Sequence, residues 1–115
     1  LEAVLKYSIS QIPLEKLVIG LPLYGYDWVG ERGESVQYQD ASSSARLHSA
    51  TPIRDQSSQE LFYTYTQDGV RHEVWFQDHI STFEKIKLAR TYGVYKFYFW
   101  RLGHEDPLTF QSPLF

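Results

Sequence analysis

Apolar positions along the chain change period several times, and each change marks an element. Leu1, Val4, Leu5, Tyr7 and Ile9 recur near helical spacing until Ile12-Pro13, where proline disfavours helical geometry in the residue before it. The spacing predicts a helix ending near Gln11. After Pro13 to Leu17, the nearly continuous apolar run Val18-Ile19-Gly20-Leu21-Pro22-Leu23-Tyr24-Gly25 reads as one strand buried on both faces, the pattern of a parallel sheet. Pro22 has no N–H for the ladder, so pairing should weaken at the carboxyl end of that strand.

From Asp27 to Ser58 the chain turns polar and rich in Gly and Ser. Asp40 and Ser42 to Ser44 are placed as N-caps of a short helix through Arg46, Leu47 and Ala50. Beyond it, Glu60 to Gln67 and Val70 to Phe76 flank Asp68-Gly69, a strong hairpin signal because both turn positions need positive φ. A two-residue turn sets Tyr65 opposite His72, Tyr63 opposite Val74 and Phe62 opposite Trp75, with the aromatic and β-branched contacts expected on one face. Ser81 and Glu84 have capping-box spacing at the start of a further helix. Phe83, Ile86, Leu88 and Ala89 give that helix an apolar face, and Gly93 is its expected C-cap. Val94 to Trp100 reads as a second buried strand, and the tail has loop chemistry at Gly103, Asp106-Pro107 and Pro113. Strand, polar middle, helix and strand in that order predict a βα unit of an α/β fold with an inserted subdomain.

A length of 115 residues is one ordinary domain. Aromatic residues make up 17% of it, enough both for a core and for a surface that stacks on flat ligand faces, and composition leaves both uses open. A net charge of -3 without any Lys/Arg cluster excludes phosphate-backbone binding, so nucleic acid is not an expected partner. The absence of cysteine removes disulfides, thiolate metal sites and a cysteine nucleophile. His48, His72, His79 and His104 lack His-x-x-x-His spacing, so neither a metal nor another cofactor is expected. Of these, His72 reads as a hairpin residue and His79 as a helix-entry residue. The longest apolar runs fall far short of the roughly 20 residues that span a bilayer, so no membrane partner is expected. Leu1 without a start methionine, a basic region or a cleavage site fits a segment of a longer chain.

Four blocks in sequence order give these elements a family. Lys16 to Trp28 resembles the seventh barrel strand, and its exit, of family 18 glycoside hydrolases, above all the bacterial type linked to spore peptidoglycan. Pro52 to Asp55 with Phe62 to Tyr65 is similar to the small α+β subdomain that follows that strand in the family. Glu73 to Ser81 resembles the entry into the seventh helix, and Tyr92 to Gly103 the eighth strand. The resemblance implies the last βα units of a TIM (β/α)8 barrel, incomplete in this chain. Residues 1–26 would be barrel helix and seventh strand, 27–77 an α+β insertion with the hairpin, and 78–115 seventh helix, eighth strand and tail.

It also implies hydrolysis of β-1,4 bonds at N-acetylglucosamine in chitin or peptidoglycan, by the substrate-assisted route in which the acetamide of the sugar attacks. The catalytic acid of the family sits in an Asp-x-x-Asp-x-Asp-x-Glu run, and no such run exists here. The segment is therefore expected to be inactive alone. Glu105 and Asp106, the only carboxylates near the expected site mouth, read as solvated loop residues. Trp100 falls where the family places the tryptophan that floors the subsite of the reacting sugar. Tyr24, Tyr26 and Trp28 fall along the same end of the barrel, Tyr26 standing where arginine is frequent. Lys96 stands in place of a usual glycine, and Gln77 in place of a common acidic residue. Expected partners are an N-acetylglucosamine polysaccharide and either the rest of the barrel or another copy, since two strands cannot close a barrel that needs about eight. Location at a cell wall, at a spore or outside the cell follows by resemblance alone. A non-catalytic carbohydrate-binding or interaction module is the alternative.

Overall fold

The computed structural model describes residues 1–111, so the tail proline Pro113 lies outside them. Helix α1 (Glu2–Gln11) ends where the Ile12-Pro13 step predicts, with Ile12 in an extended conformation. The apolar run beyond it is divided rather than continuous. β1 (Ile19–Pro22) stops at the proline, and β2 (Tyr24–Val29) resumes after Leu23 in a different sheet. The Leu23 N–H makes one more bond, to the Trp100 carbonyl at 2.7 Å, before the chain leaves the first sheet.

β3 (Arg32–Gln37) then returns antiparallel to β2, a hairpin concealed by the polar character of this stretch. The helix that follows, α2 (Tyr38–Leu47), starts earlier than the Asp40 and serine caps predict; its N-cap is Gln37, without a side-chain cap. Packing decides this, because Tyr38 lies against Phe76 and Ala41 and Ala45 are buried on the sheet. β4 (Ile53–Arg54), β5 (Leu61–Gln67) and β6 (Val70–Phe76) complete a five-stranded antiparallel sheet in the order β3-β2-β6-β5-β4.

The hairpin register is as expected, with Tyr65 opposite His72, Tyr63 opposite Val74 and Phe62 opposite Trp75. The three pairs do not share one face, however. Side chains alternate along a strand, so Phe62 and Trp75 stack on the side opposite Tyr63 and Val74, their rings 4.6 Å apart. Gly25 is required where β2 crosses β6, because a Cβ there would lie 2.2 Å from the Trp75 carbonyl oxygen.

Helix α3 (His79–Thr91) is capped one turn earlier than expected. Asp78 is the N-cap and Ser81 the third helical residue of a reciprocal capping box. Tyr92 is the C-cap, followed by Gly93 at φ +80. The last strand, β7 (Phe97–Trp100), is shorter than its apolar run and pairs parallel with β1, from Ile19 opposite Phe97 to Pro22 opposite Trp100. Lys96 precedes it, exposed, its ammonium donating to the Glu15 carbonyl, so no charge is buried there.

Each sheet has its own core. Leu5, Leu17, Leu21, Ile86, Ala89 and Val94 lie between α1, α3 and the parallel pair, whereas Ala41, Ala45, Tyr63, Val74 and Phe76 join α2 to the antiparallel sheet. The two meet at Arg54, whose guanidinium donates to both oxygens of Asp78, at 3.1 and 2.6 Å, and to the Gln59 carbonyl at 2.7 Å. Burial pushes the Asp78 carboxyl up, but Arg54 and the Ser81 donors outweigh it and hold the group below its ordinary value. No described helix is long and apolar enough to cross a membrane.

Candidate functional site

Parallel pairing brings the carboxyl ends of β1 and β7 to one edge, and the aromatic residues gather there. Trp100 ends β7 opposite Pro22 and is 62% exposed. Tyr98, two residues earlier on the same face, lies over Gly20, where a Cβ would be 2.4 Å from the tyrosine ring. These residues and Tyr24 line one cleft of about 290 Å³.

β2 leaves from the same edge and continues the row. Tyr24 and Tyr26 meet edge to face with ring centres 5.7 Å apart, and Tyr26 and Trp28 follow at 5.3 Å, a spacing set by strand residues two apart. Trp75 on β6 lies opposite Tyr26 in the ladder and closes the far side. A second cleft, of about 330 Å³, holds Tyr24, Tyr26, Trp28 and Trp75 with Glu60 and Gln77. Tyr24 is common to both clefts, so they adjoin along a groove that runs from Trp100 past Tyr24 to Trp28. A third hollow of about 660 Å³ extends it past Trp28 and Trp75 to Arg71 and Glu73.

The residues singled out from sequence, Trp100, Tyr24, Tyr26 and Trp28, therefore share a groove. Tyr98, Trp75 and Glu60 were not anticipated in it. Tyr98 could have been found by alternation from Trp100, and Trp75 by placing it, with its cross-strand partner Phe62, on the hairpin face away from Tyr63. Glu60 carried no signal, because the turn that brings it alongside Gln77 depends on Arg54 and Gln59, outside any periodic pattern.

Asp106 is a correction. Instead of a solvated loop carboxylate, it is 3% exposed, accepting from the His79 backbone at 3.0 Å and from His79 Nδ1 at 2.6 Å. It fastens the tail to the start of α3 and faces no cleft of the groove. Among the described residues Asp78, His79 and Asp106 bring one donor atom each within 4.8 Å of one another. The Arg54 guanidinium already occupies both Asp78 oxygens, so a cation there would meet a positive charge in place of a free ligand.

The opposite face of the antiparallel sheet holds a polar stack. Tyr65 lies between His48 and His72, with ring centres 4.1 and 4.4 Å away. Its hydroxyl donates to Asp27 Oδ2 at 2.6 Å while His72 Nδ1 meets Oδ1 at 2.9 Å. Burial first, and the Asp27 carboxylate second, push the Tyr65 hydroxyl up to about 12.

No family model matches the chain. The cortical fragment-lytic enzyme of Bacillus subtilis is 34% identical over 111 residues, which is 90% of this chain and 26% of that protein. Among solved structures, the Bacillus cereus spore cortex-lytic enzyme SleL superposes with a TM-score of 0.88 at 30% identity, over 96% of this chain and 28% of that one. A chitinase from Chromobacterium violaceum gives 0.85 at 30% identity, over 93% and 34%. The chain thus spans about a quarter of the length of the curated relative, 26%.

Proposed function

We propose that this chain, a homologue of the chitinase-like family 18 glycoside hydrolases, supplies the sugar-binding surface, but not the catalytic acid, for hydrolysis of β-1,4-linked N-acetylglucosamine polymers. The names of its relatives point to two substrates, spore cortex peptidoglycan and chitin. One observation carries the reading: Trp100 and the aromatic row of β2 converge on the carboxyl edge of the parallel pair, where barrel enzymes place their sites. Flat rings with polar rims suit pyranose faces, and Tyr hydroxyls suit their hydroxyl edges.

In this reading residues 1–26 and 78–115 are the last βα units of a (β/α)8 barrel, and residues 27–77 an α+β insertion over its mouth. The change of sheet at Leu23 falls inside the first of these. The unpaired edges of β1 and β7 would be completed by further barrel strands or by another copy of the chain. A carbohydrate-binding module without chemistry is the second reading, since exposed aromatic rings serve sugar binding with or without a catalytic acid.

Calorimetry with N-acetylglucosamine oligomers tests the shared claim. Saturable binding that Trp100→Ala abolishes, without new reducing ends, is the expected result. Binding that survives this substitution unchanged would overturn it.

A further inference from the structure

The floor of the groove holds a polar pair that the aromatic row does not explain. Gln77 is 5% exposed, yet it lines the cleft beneath Tyr24, Tyr26, Trp28 and Trp75. Its Oε1 accepts from Lys85 Nζ at 2.7 Å, and that is its one side-chain hydrogen bond among the described residues. An ammonium has donors only, so the atom facing Lys85 must be the oxygen and the Nε2 group must point elsewhere. Gln77 therefore keeps an Nε2 donor on the cleft wall with no protein partner among the described residues, open to water or to a ligand.

Glu60 stands beside it. The same Lys85 Nζ donates to Glu60 Oε1 at 2.7 Å, so one ammonium fixes both side chains. Lys85 lines a second hollow, and Glu60 borders both. Toward the groove this arrangement presents an acceptor, the Glu60 carboxylate, next to a donor, the Gln77 amide, between aromatic walls.

We infer that Glu60 and Gln77 form a subsite that reads the amide of an acetamido sugar, distinct from the Trp100 floor. The sugar N–H donates to Glu60, and its carbonyl accepts from Gln77 Nε2. The N–H and carbonyl of a trans acetamide point to opposite sides, so the group would lie between Glu60 and Gln77, whereas a hydroxyl at the same carbon carries its donor and acceptor on one atom. Lys85 is a positioning residue, and glutamine suits position 77 because a carboxylate there could not donate. This subsite rests on the sugar-binding reading above and gives it a second point of recognition.

The test is a two-dimensional proton–nitrogen titration of the whole chain with the N-acetylglucosamine tetramer and, separately, with cellotetraose, which has the same linkage and a hydroxyl in place of the acetamide. The side-chain amide pair of Gln77 and the indole N–H of Trp75 are expected to shift with the acetylated sugar, and the Gln77 pair to stay still with cellotetraose. Gln77→Glu keeps a partner for Lys85, so its backbone spectrum should persist. It should weaken the acetylated tetramer about fivefold, as the loss of one hydrogen bond predicts, and leave cellotetraose unchanged. If the Trp100 indole shifts while the Gln77 amide does not, this subsite is wrong and the sugar-binding reading stands. If no resonance moves with either sugar, both fall.

Discussion

The antiparallel half, β2 to β6 with α2, and the parallel half, α1, β1, α3 and β7, differ in how far each satisfies its own backbone. In the first, β2, β6 and β5 are paired on both sides, and the two edge strands are the six-residue β3 and the two-residue β4. In the second, among the described residues β1 and β7 pair only with each other, so each is an edge strand. Their outer residues stay in solvent, with Tyr98 57% and Trp100 62% exposed. An antiparallel sheet can face water on one side, whereas a parallel pair is built to be covered. The same exposure therefore means different things in the two halves. On β2 it is an ordinary solvent face that can take a ligand, and on β1 and β7 it also marks edges open to further strands.

Cutting the antiparallel core should give the largest effect. Phe76 is 1% exposed between Tyr38 and Tyr63, and Phe76→Ala should cost about 3–5 kcal/mol in urea unfolding. Hydrogen exchange sharpens the contrast, because amides of β5 and β6 should open only with global unfolding and those of β1 and β7 well before it. Equal protection in both sheets would break the comparison.

The next effect belongs to the junction. Arg54→Ala leaves the nearly buried Asp78 carboxylate without its cation and should cost about 3 kcal/mol. The Asp78 pKa is depressed in the folded state, so the stability it contributes is present above its unfolded value, near 3.9, and is lost as pH falls through the lower folded one. In Arg54→Ala, burial acts with less opposition and the folded value rises, so the Asp78 share of the acid-dependent loss should shrink. An unchanged acid transition would show that Arg54 does not hold the carboxyl.

Legibility followed how local each determinant was. The hairpin could be read because Asp68-Gly69 fixes its register within two residues, and α1 because Pro13 stops it. β3 could not, since Arg32 to Gln37 is polar and becomes a strand only through its ladder with β2. The caps of α2 and α3 were misplaced for the same reason. Tyr38 and Arg54 choose those helix starts through contacts distant in sequence. In the groove, Trp100 and Tyr24 were visible as aromatic strand ends, while Glu60 and Gln77 acquired meaning only when Lys85 joined them.

The smallest effect should come from the sheet face turned away from the groove. Tyr65→Phe removes one hydrogen bond to Asp27, but His72 still holds the other carboxylate oxygen, so the expected loss is only about 1 kcal/mol at neutral pH. The alkaline limb separates this bond from mere packing. With its folded value raised to about 12, the Tyr65 hydroxyl contributes stability that is complete below the ordinary tyrosine value of about 10 and is lost as pH rises through 12. The wild-type chain should therefore destabilise across that window more steeply than the Tyr65→Phe variant, whose ring still stacks between His48 and His72. Parallel alkaline limbs in the two proteins would mean that neither burial nor the Asp27 bond raises the Tyr65 hydroxyl and that the stack alone holds this face together.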